Sequence, residues 1–394
     1  MTARIPTVQQ LAFRFVLLMG AVSLFADATY EGARGITGPY LAVLGASAAA
    51  VGFVAGLGEL VGYALRLASG ALADRTRQYW LLTFLGYAVN LGAVPALALA
   101  GGWEAAAVLV VAERIGKALR TPPRDAMLSH ATSQVGHGWG FGVHEALDQA
   151  GAVAGPLLVA GMLAAGSGYR TALAALLVPA LVSLAFLVTA RAAFPQPRIF
   201  EAALQAPSAA PLPRELRWYM VGVGLLAAGY ADFPLLSYHL VRAETVAPAA
   251  IAALYALAQA SDALAALLGG RWFDRAGVRV LLVLALLAVP APPLGFLGGR
   301  EAAAVASILW GVGIGVQESL LRAAVAGLVS PARRASAFGL FHAVFGTCWF
   351  AGSALMGMLY GWNPVALVAF SVTCQLAALP FFAAAGQALA PRRG

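Results

Sequence analysis

GALADRTRQYWLL, residues 70–82, is echoed further along the chain by GRWFDRAGVRVLL, residues 270–282. The pair Asp74-Arg75 returns as Asp274-Arg275, each time between two apolar runs. A second echo lies outward of the first. GFGVHEALDQAGAVAG from Gly140 aligns with AFGLFHAVFGTCWFAG from Ala337. Phe141-Gly142 then matches Phe338-Gly339, and Ala154-Gly155 matches Ala351-Gly352. Two independent matches at nearly one offset indicate a duplicated chain, and the fold has to be read as two related halves.

The composition says what surrounds those halves. The 394 residues are 61% hydrophobic and 11% charged. A soluble domain carries roughly 25% charged residues, so this chain lacks the charge to cover a wet surface and reads as an integral membrane protein. Twelve apolar segments can be marked, at about 9–43, 48–70, 79–100, 103–123, 139–165, 169–191, 216–241, 247–270, 278–298, 302–327, 336–360 and 363–388. Runs such as VLLVLALLAV, residues 280–289, do not alternate as barrel strands do. Helices are therefore expected, because a span in lipid must satisfy its own backbone. The expected fold is all-α, with twelve transmembrane helices in two pseudo-symmetric six-helix bundles. The bundles are placed at 1–190 and 216–394. RAAFPQPRIFEAALQAPSAAPLPRE, residues 191–215, is proline- and alanine-rich and reads as a linker. Six-helix halves of this kind are a transporter architecture.

Arginines set the orientation. Connections on one side hold most of them, Arg75, Arg77, Arg191, Arg198, Arg271, Arg275 and Arg279 included, while the other side has Arg34, Arg170, Arg242 and Arg300. The positive-inside rule then puts both termini in the cytoplasm, which suits an even number of spans in the cell inner membrane. The net charge of +8 does not point to nucleic acid, since the basic residues are scattered singly rather than clustered with aromatics. Cys348 and Cys374 lie in apolar runs without metal spacing and read as small core residues. Arg4 and Arg14 before FVLLMGAVSLFADA loosely imitate a signal peptide, but a retained first helix suits the polar residues that follow.

Ionisable residues inside apolar spans are costly, about 2.5–3.5 kcal/mol each on insertion scales, and so mark a cavity or a partner. FADATYEGARG, residues 25–35, places Asp27, Tyr30, Glu31 and Arg34 at spacings of three and four, on one helical face. Helix 2 carries Glu59, Tyr63 and Arg66. Helix 4 carries Glu113, Arg114, Lys117 and Arg120, with Glu113 to Lys117 in the favourable order for an intrahelical ion pair. Arg120 and Arg124 read as anchors at the cytoplasmic end. Helix 5 carries His144, Glu145 and Asp148, two carboxylates and an imidazole at close spacing, which suits a proton relay. In the second half Asp232, Asp262, Glu318 and Arg322 are the deep candidates, the last two four apart and able to neutralise each other. His239 and His342 stand alone and read as packing residues.

At these residues the chain resembles the major facilitator superfamily. The cytoplasmic loop signature G-x-L-x-D-R-x-G-x-R is met by Gly70, Leu72, Asp74, Arg75 and Arg77, without the glycine before the last arginine. Gly270, Asp274, Arg275, Gly277 and Arg279 keep that glycine. The resemblance implies a gating role for these loops. GAVAGPLLVAG, residues 151–161, is similar to the helix 5 motif of the superfamily's proton-coupled drug exporters, with Gly151, Gly155 and Pro156 in place. ERIGKALRTPPRDAML, residues 113–128, is similar to the helix 4 signature but departs from it in spacing.

These readings converge on a secondary transporter that moves a small molecule by alternating access and is sufficient as a monomer in the bilayer. It takes protons as the coupling ion and needs no other cofactor. Export of a small organic or drug-like compound is expected. Proton-driven uptake of a polar or anionic metabolite is the alternative, through Arg66, Arg114, Lys117 and Arg322. A membrane-embedded enzyme or sensor is disfavoured: HEALD at His144 lacks the second histidine of a metal site, and a sensor is expected to bring a soluble output domain. Nor does GVGIGV at Gly311 follow a strand, as a dinucleotide site requires.

Overall fold

The computed structural model describes residues 7–135, 137–196, 213–276, 278–329 and 334–389. Sixteen α-helices run through them, with no strand among the described residues. The first five are α1 (Val8–Val43), α2 (Ala48–Thr76), α3 (Tyr79–Ala96), α4 (Trp103–Val135) and α5 (His137–Ala164). The sixth span is α6 (Tyr169–Ala175) with α7 (Leu177–Ala193), and the seventh is α8 (Arg214–Gly229) with α9 (Phe233–Arg242). Then come α10 (Pro248–Ala276), the pair α11 (Val278–Ala288) and α12 (Ala291–Leu297), and α13 (Arg300–Gly315). A π-helical turn, Val316–Leu320, joins α13 to α14 (Leu321–Leu328). The chain closes with α15 (Arg334–Trp362) and α16 (Pro364–Leu389). The architecture is the all-α membrane fold expected from the apolar segments.

Eleven of these spans are long and apolar enough to cross a bilayer. The twelfth, α4, is long enough at 33 residues, but it carries Glu104, Glu113, Arg114, Lys117, Arg120, Arg124 and Asp125. Its charge, not its length, sets it apart, and that charge builds the site described below. α4 also runs beyond the expected end at 123, through Pro122 and Pro123, to Val135.

The chain divides into two compact units. One comprises Met1–Ala33, Leu65–Ala100 and Val108–Leu204; the other comprises Arg34–Ala64, Gly101–Ala107 and Gln205–Gly394. Most of the expected linker, residues 197–212, lies outside the described residues.

In the first unit α5 presses directly on the backbone of α1. A Cβ on Gly151 would collide with the carbonyl of Leu24, and one on Gly155 with the carbonyl of Ala28. Small residues allow such approach where lipid offers no hydrophobic drive to pack. Gly116 brings α4 equally close to the backbone of α3 at Asn90. Hydrogen bonds from Ser183 Oγ to the Val22 carbonyl (2.8 Å) and from Trp80 Nε1 to the Phe194 carbonyl (3.1 Å) tie α7 and the chain beyond it to the bundle. In the second unit α8 packs on α15 and α16, and α10 on α13. Tyr219 donates to the Leu321 carbonyl at 2.9 Å.

The two Asp-Arg echoes occupy matching places, the last turns of α2 and α10. Arg75 and Arg275 there meet the negative end of the helix dipole. Arg77, matched above to the signature's last arginine, is in register with Gly277 of the second copy and takes a left-handed backbone with φ of 56°. The turn thus keeps the glycine conformation without the glycine, at a cost of order 1 kcal/mol. Gly277, its counterpart, lies outside the described residues.

Candidate functional site

The polar face of FADATYEGARG divides between the two units after Ala33. Asp27, Tyr30 and Glu31 belong to a charge cluster in the first unit. Arg34 belongs to a second cluster in the other.

The first cluster is built by α1, α3, α4 and α5. Tyr30 donates to Asp27 Oδ1 at 2.5 Å. Arg120, 1% exposed at its side chain, lies with Nη2 4.0 Å from the same oxygen and donates from Nη1 to the Tyr87 hydroxyl at 3.0 Å. Its guanidinium also covers the Tyr87 ring, 4.3 Å from the centroid. Lys117 Nζ stands 3.8 Å from Glu31 Oε1 and 4.1 Å above the Tyr30 ring. A cation over a tyrosine face gains about 0.5–2 kcal/mol when desolvated. Arg124 pairs with Asp125 at 2.8 Å and donates to Ser23 Oγ at 3.1 Å. Ser23 Oγ in turn meets His144 Nε2 at 3.1 Å. Asp148 lies within electrostatic reach of Arg124, His144, Arg120, Lys117 and Asp27. Its Oδ1 is buried without a hydrogen-bond partner, as is Nε of Arg120.

Three expectations change here. Lys117 does not form the intrahelical pair with Glu113 but crosses to α1. Glu113 instead accepts from Asn90 Nδ2 at 2.8 Å and pairs with Arg114 at 3.2 Å. The close approach at Gly116 is what puts Asn90 within reach. Arg120 and Arg124 are not end anchors: Arg120 is among the largest fully buried side chains. Glu145 departs from its helix neighbours. It is exposed and takes a bond from Gln149, while His144 is buried. Helical geometry explains this, since His144 and Asp148 are four apart and Glu145 sits about 100° round the axis. Ser23, Tyr87 and Asn90 were missed. The signal on α3 was two polar-edged residues, Tyr87 and Asn90, three apart in a mostly apolar helix.

The bond from Asn90 to Glu113 is expected to contribute measurably to folding. Asn90→Ala leaves a buried carboxylate short of a donor, a loss of about 1–3 kcal/mol. A lowered thermal midpoint of the purified protein in detergent would register it; an unchanged midpoint would show the bond to be dispensable.

The second cluster centres on Asp232. Arg34 Nη2 meets Glu59 Oε1 at 2.6 Å, with both side chains largely covered. Asp232, 2% exposed, accepts from Trp349 Nε1 at 2.6 Å and from Ser353 Oγ. Trp349 and Ser353 are four apart on α15, a pairing that the sequence reading overlooked. Asp262 is buried at 4% exposure; Arg66 belongs to the first unit, where it is half-buried. Glu318 and Arg322 are not buried. Both are exposed, and Arg322 donates from Nε to the Glu318 carbonyl, not to its carboxylate, beside the π-helical turn. His239 packs against Tyr360, with 2.9 Å between Nδ1 and the hydroxyl. His342 stacks on Tyr63.

No family model matches the chain. An uncharacterized protein of Mycobacterium tuberculosis, Rv2265, is 44% identical over 375 residues, covering 93% of this chain and 92% of the relative. The Mycobacterium bovis protein Mb2288 matches to the same extent. A shorter match, 32% identical over 143 residues and 36% of each chain, is to an uncharacterized MFS-type transporter, MJ1317, of Methanocaldococcus jannaschii. Among solved structures, the nucleoside transporter NupG superposes with a TM-score of 0.75 at 16% identity, over 94% of this chain and 98% of that one. A peptide transporter, POT, in complex with sulfate gives 0.73 at 16% identity, over 98% and 99%. A bacterial homolog of the lysosomal transporter Spinster gives 0.63 at 15%, over 96% of each. Fold and span count thus define a multi-pass membrane protein with the fold of those transporters. The chain belongs to the same family as the mycobacterial proteins Rv2265 and Mb2288.

Proposed function

We propose that this protein is a secondary transporter that moves a small organic molecule out of the cell in exchange for protons. The charge count of the first cluster carries this reading. Arg114, Lys117, Arg120 and Arg124 each pair with one carboxylate, namely Glu113, Glu31, Asp27 and Asp125. Asp148 is a fifth carboxylate without a salt bridge of its own; Arg124, the cation that acts on it most strongly, is already bridged to Asp125. A buried charge left unpaired costs several kcal/mol, so the cluster is neutral only when it holds one proton. Asp27 and Asp148 act on each other, and in this reading they hold that proton as a pair.

Loss of the proton sets two like charges against each other across Arg120. The idle Nε of Arg120 and idle Oδ1 of Asp148 then supply the contacts of a second arrangement. Two arrangements that differ by one proton are what alternating access requires for coupling. The Asp-Arg pairs ending α2 and α10 are proposed as the cytoplasmic gating elements, with both termini on that side. The partial helix 5 motif supports export over uptake.

Proteoliposomes loaded with a pH-sensitive dye test the proposal against a panel of drug-like cations and organic anions. Compound-dependent proton movement is expected in wild type. Asp148→Asn should reduce it about 100-fold or more while leaving the folded yield close to normal, because the substitution mimics the protonated group. Unchanged proton movement in Asp148→Asn would sink the coupling role. Substrate flux without proton movement would remove protons as the driving ion, and the sign of the flux separates exchange from symport.

A further inference from the structure

The seventh span is broken in its middle. α8 stops at Gly229, α9 starts at Phe233, and Tyr230–Asp232 between them is not helical. Such backbone is tolerated at membrane depth only where protein covers it or water reaches it. Here the covering is specific: Trp310 Nε1 donates to the Ala231 carbonyl at 2.8 Å, and Ser371 Oγ donates to that of Gly229. The break delivers Asp232 to the N-terminus of α9, yet its side chain does not cap that helix. It turns to α15 instead and accepts from Trp349 and Ser353.

Asp232 has no lysine or arginine paired with it among the described residues. The cation within its electrostatic reach, Arg34, is held at 2.6 Å by Glu59, whose charge cancels it. Two hydrogen-bond donors and a helix N-terminus keep the group an acceptor. Ring contacts then lead from this carboxylate to Tyr63, in a site that is closed in this structure, where Trp349 and Phe345 are 3% and 2% exposed. Tyr230 and Trp349 have centroids 5.7 Å apart, Trp349 and Phe345 5.1 Å, and Phe345 and Tyr63 5.1 Å. Tyr63 at the far end is half-exposed. Ring faces carry negative potential and attract positive charge as the carboxylate does.

We propose that the second unit binds an organic cation, an amine or quaternary ammonium with an apolar body, its charge on Asp232 and its body against Trp349, Phe345 and Tyr63. This names the substrate class of the transporter and rests on the transport reading only for the movement of the ligand, not for its binding. The ligand supplies the positive charge that no side chain supplies.

Calorimetric titration of the purified full chain with phenyltrimethylammonium tests it, against tert-butylbenzene, which has the same shape without charge, and benzoate. The cation should bind, with the neutral isostere and benzoate at least about tenfold weaker. Asp232→Asn should weaken the cation at least about tenfold, and Tyr63→Ala several-fold. Absence of cation binding, equal binding of the isostere, or wild-type affinity in Asp232→Asn overturns the proposal. If Asp232→Asn does not fold, Tyr63→Ala and the isostere decide. Cation binding without proton-coupled flux would remove the transport reading and leave this site standing. Coupled flux of some other compound without cation binding would do the reverse.

Discussion

Arg120→Met should cost this protein about 3–5 kcal/mol of stability, the usual loss when one partner of a buried ion pair is removed. Arg120 is 1% exposed and keeps Asp27 and the Tyr87 hydroxyl in contact with a positive charge. Methionine preserves most of the volume, so the loss measures charge and not a cavity. Without Arg120 the first cluster has five carboxylates and three cations, and two of the acids are uncompensated. The count also predicts the rescue. Arg120→Met with Asp27→Asn returns the balance to one excess acid and should recover most of the thermal midpoint. It should not recover proton-coupled flux, because the pair that shared the proton is gone. Arg120→Lys should fall between, since an ammonium cannot reach Tyr87 and Asp27 in one plane. Tryptophan fluorescence during heating in detergent reads the midpoint, and the liposome assay reads the flux. A wild-type midpoint for Arg120→Met would refute the charge count, and so would a double variant no better than the single one.

Gly155→Leu is expected to prevent stable folding, whereas Gly161→Leu, further along α5, should change the midpoint little. Both glycines lie in one helix, and sequence propensity alone would treat them alike. Their surroundings differ. The first carbon of a side chain on Gly155 would land on the carbonyl of Ala28, while nothing lies within 4 Å of that position on Gly161. Backbone cannot step aside as a side-chain tip can, so α5 would have to leave α1. Overpacking in a core costs about 1–3 kcal/mol even where side chains can adjust, and the cost here should exceed that. The displacement would also pull Asp148 away from Asp27. Equal midpoints for the two variants would mean that α5 and α1 are not held at this distance.

The helix 5 motif therefore has a plain physical content, since its glycines are the positions where α5 touches bare backbone. Its pattern was visible in the sequence because glycine is scarce in helices unless something requires it. Glu145 shows the limit of that kind of reading. Its spacing to Asp148 is helical and close, yet the two side chains point to different surroundings, and only the packing of α5 separates them. Lys117 teaches the same lesson. The order Glu113 to Lys117 is favourable along one helix, but a pair within a helix gains only about 0.2–0.5 kcal/mol. A partner on α1 and the face of Tyr30 together outweigh it.

By itself the sequence determined the class of solvent, the count of spans, the duplicated halves and the pool of buried charges. Those follow from hydropathy, repeat and residue type, which are properties of the chain read locally. Only the tertiary structure decided which charge meets which. Partners such as Arg120 and Asp27, Asn90 and Glu113, or Asp232 and Trp349 lie far apart in sequence, and ångström-scale helix approaches at residues such as Gly116 and Gly155 bring α1, α3, α4 and α5 into register. It also decided where the face of FADATYEGARG divides, because a single helix face can serve two neighbourhoods when different helices pack along its length.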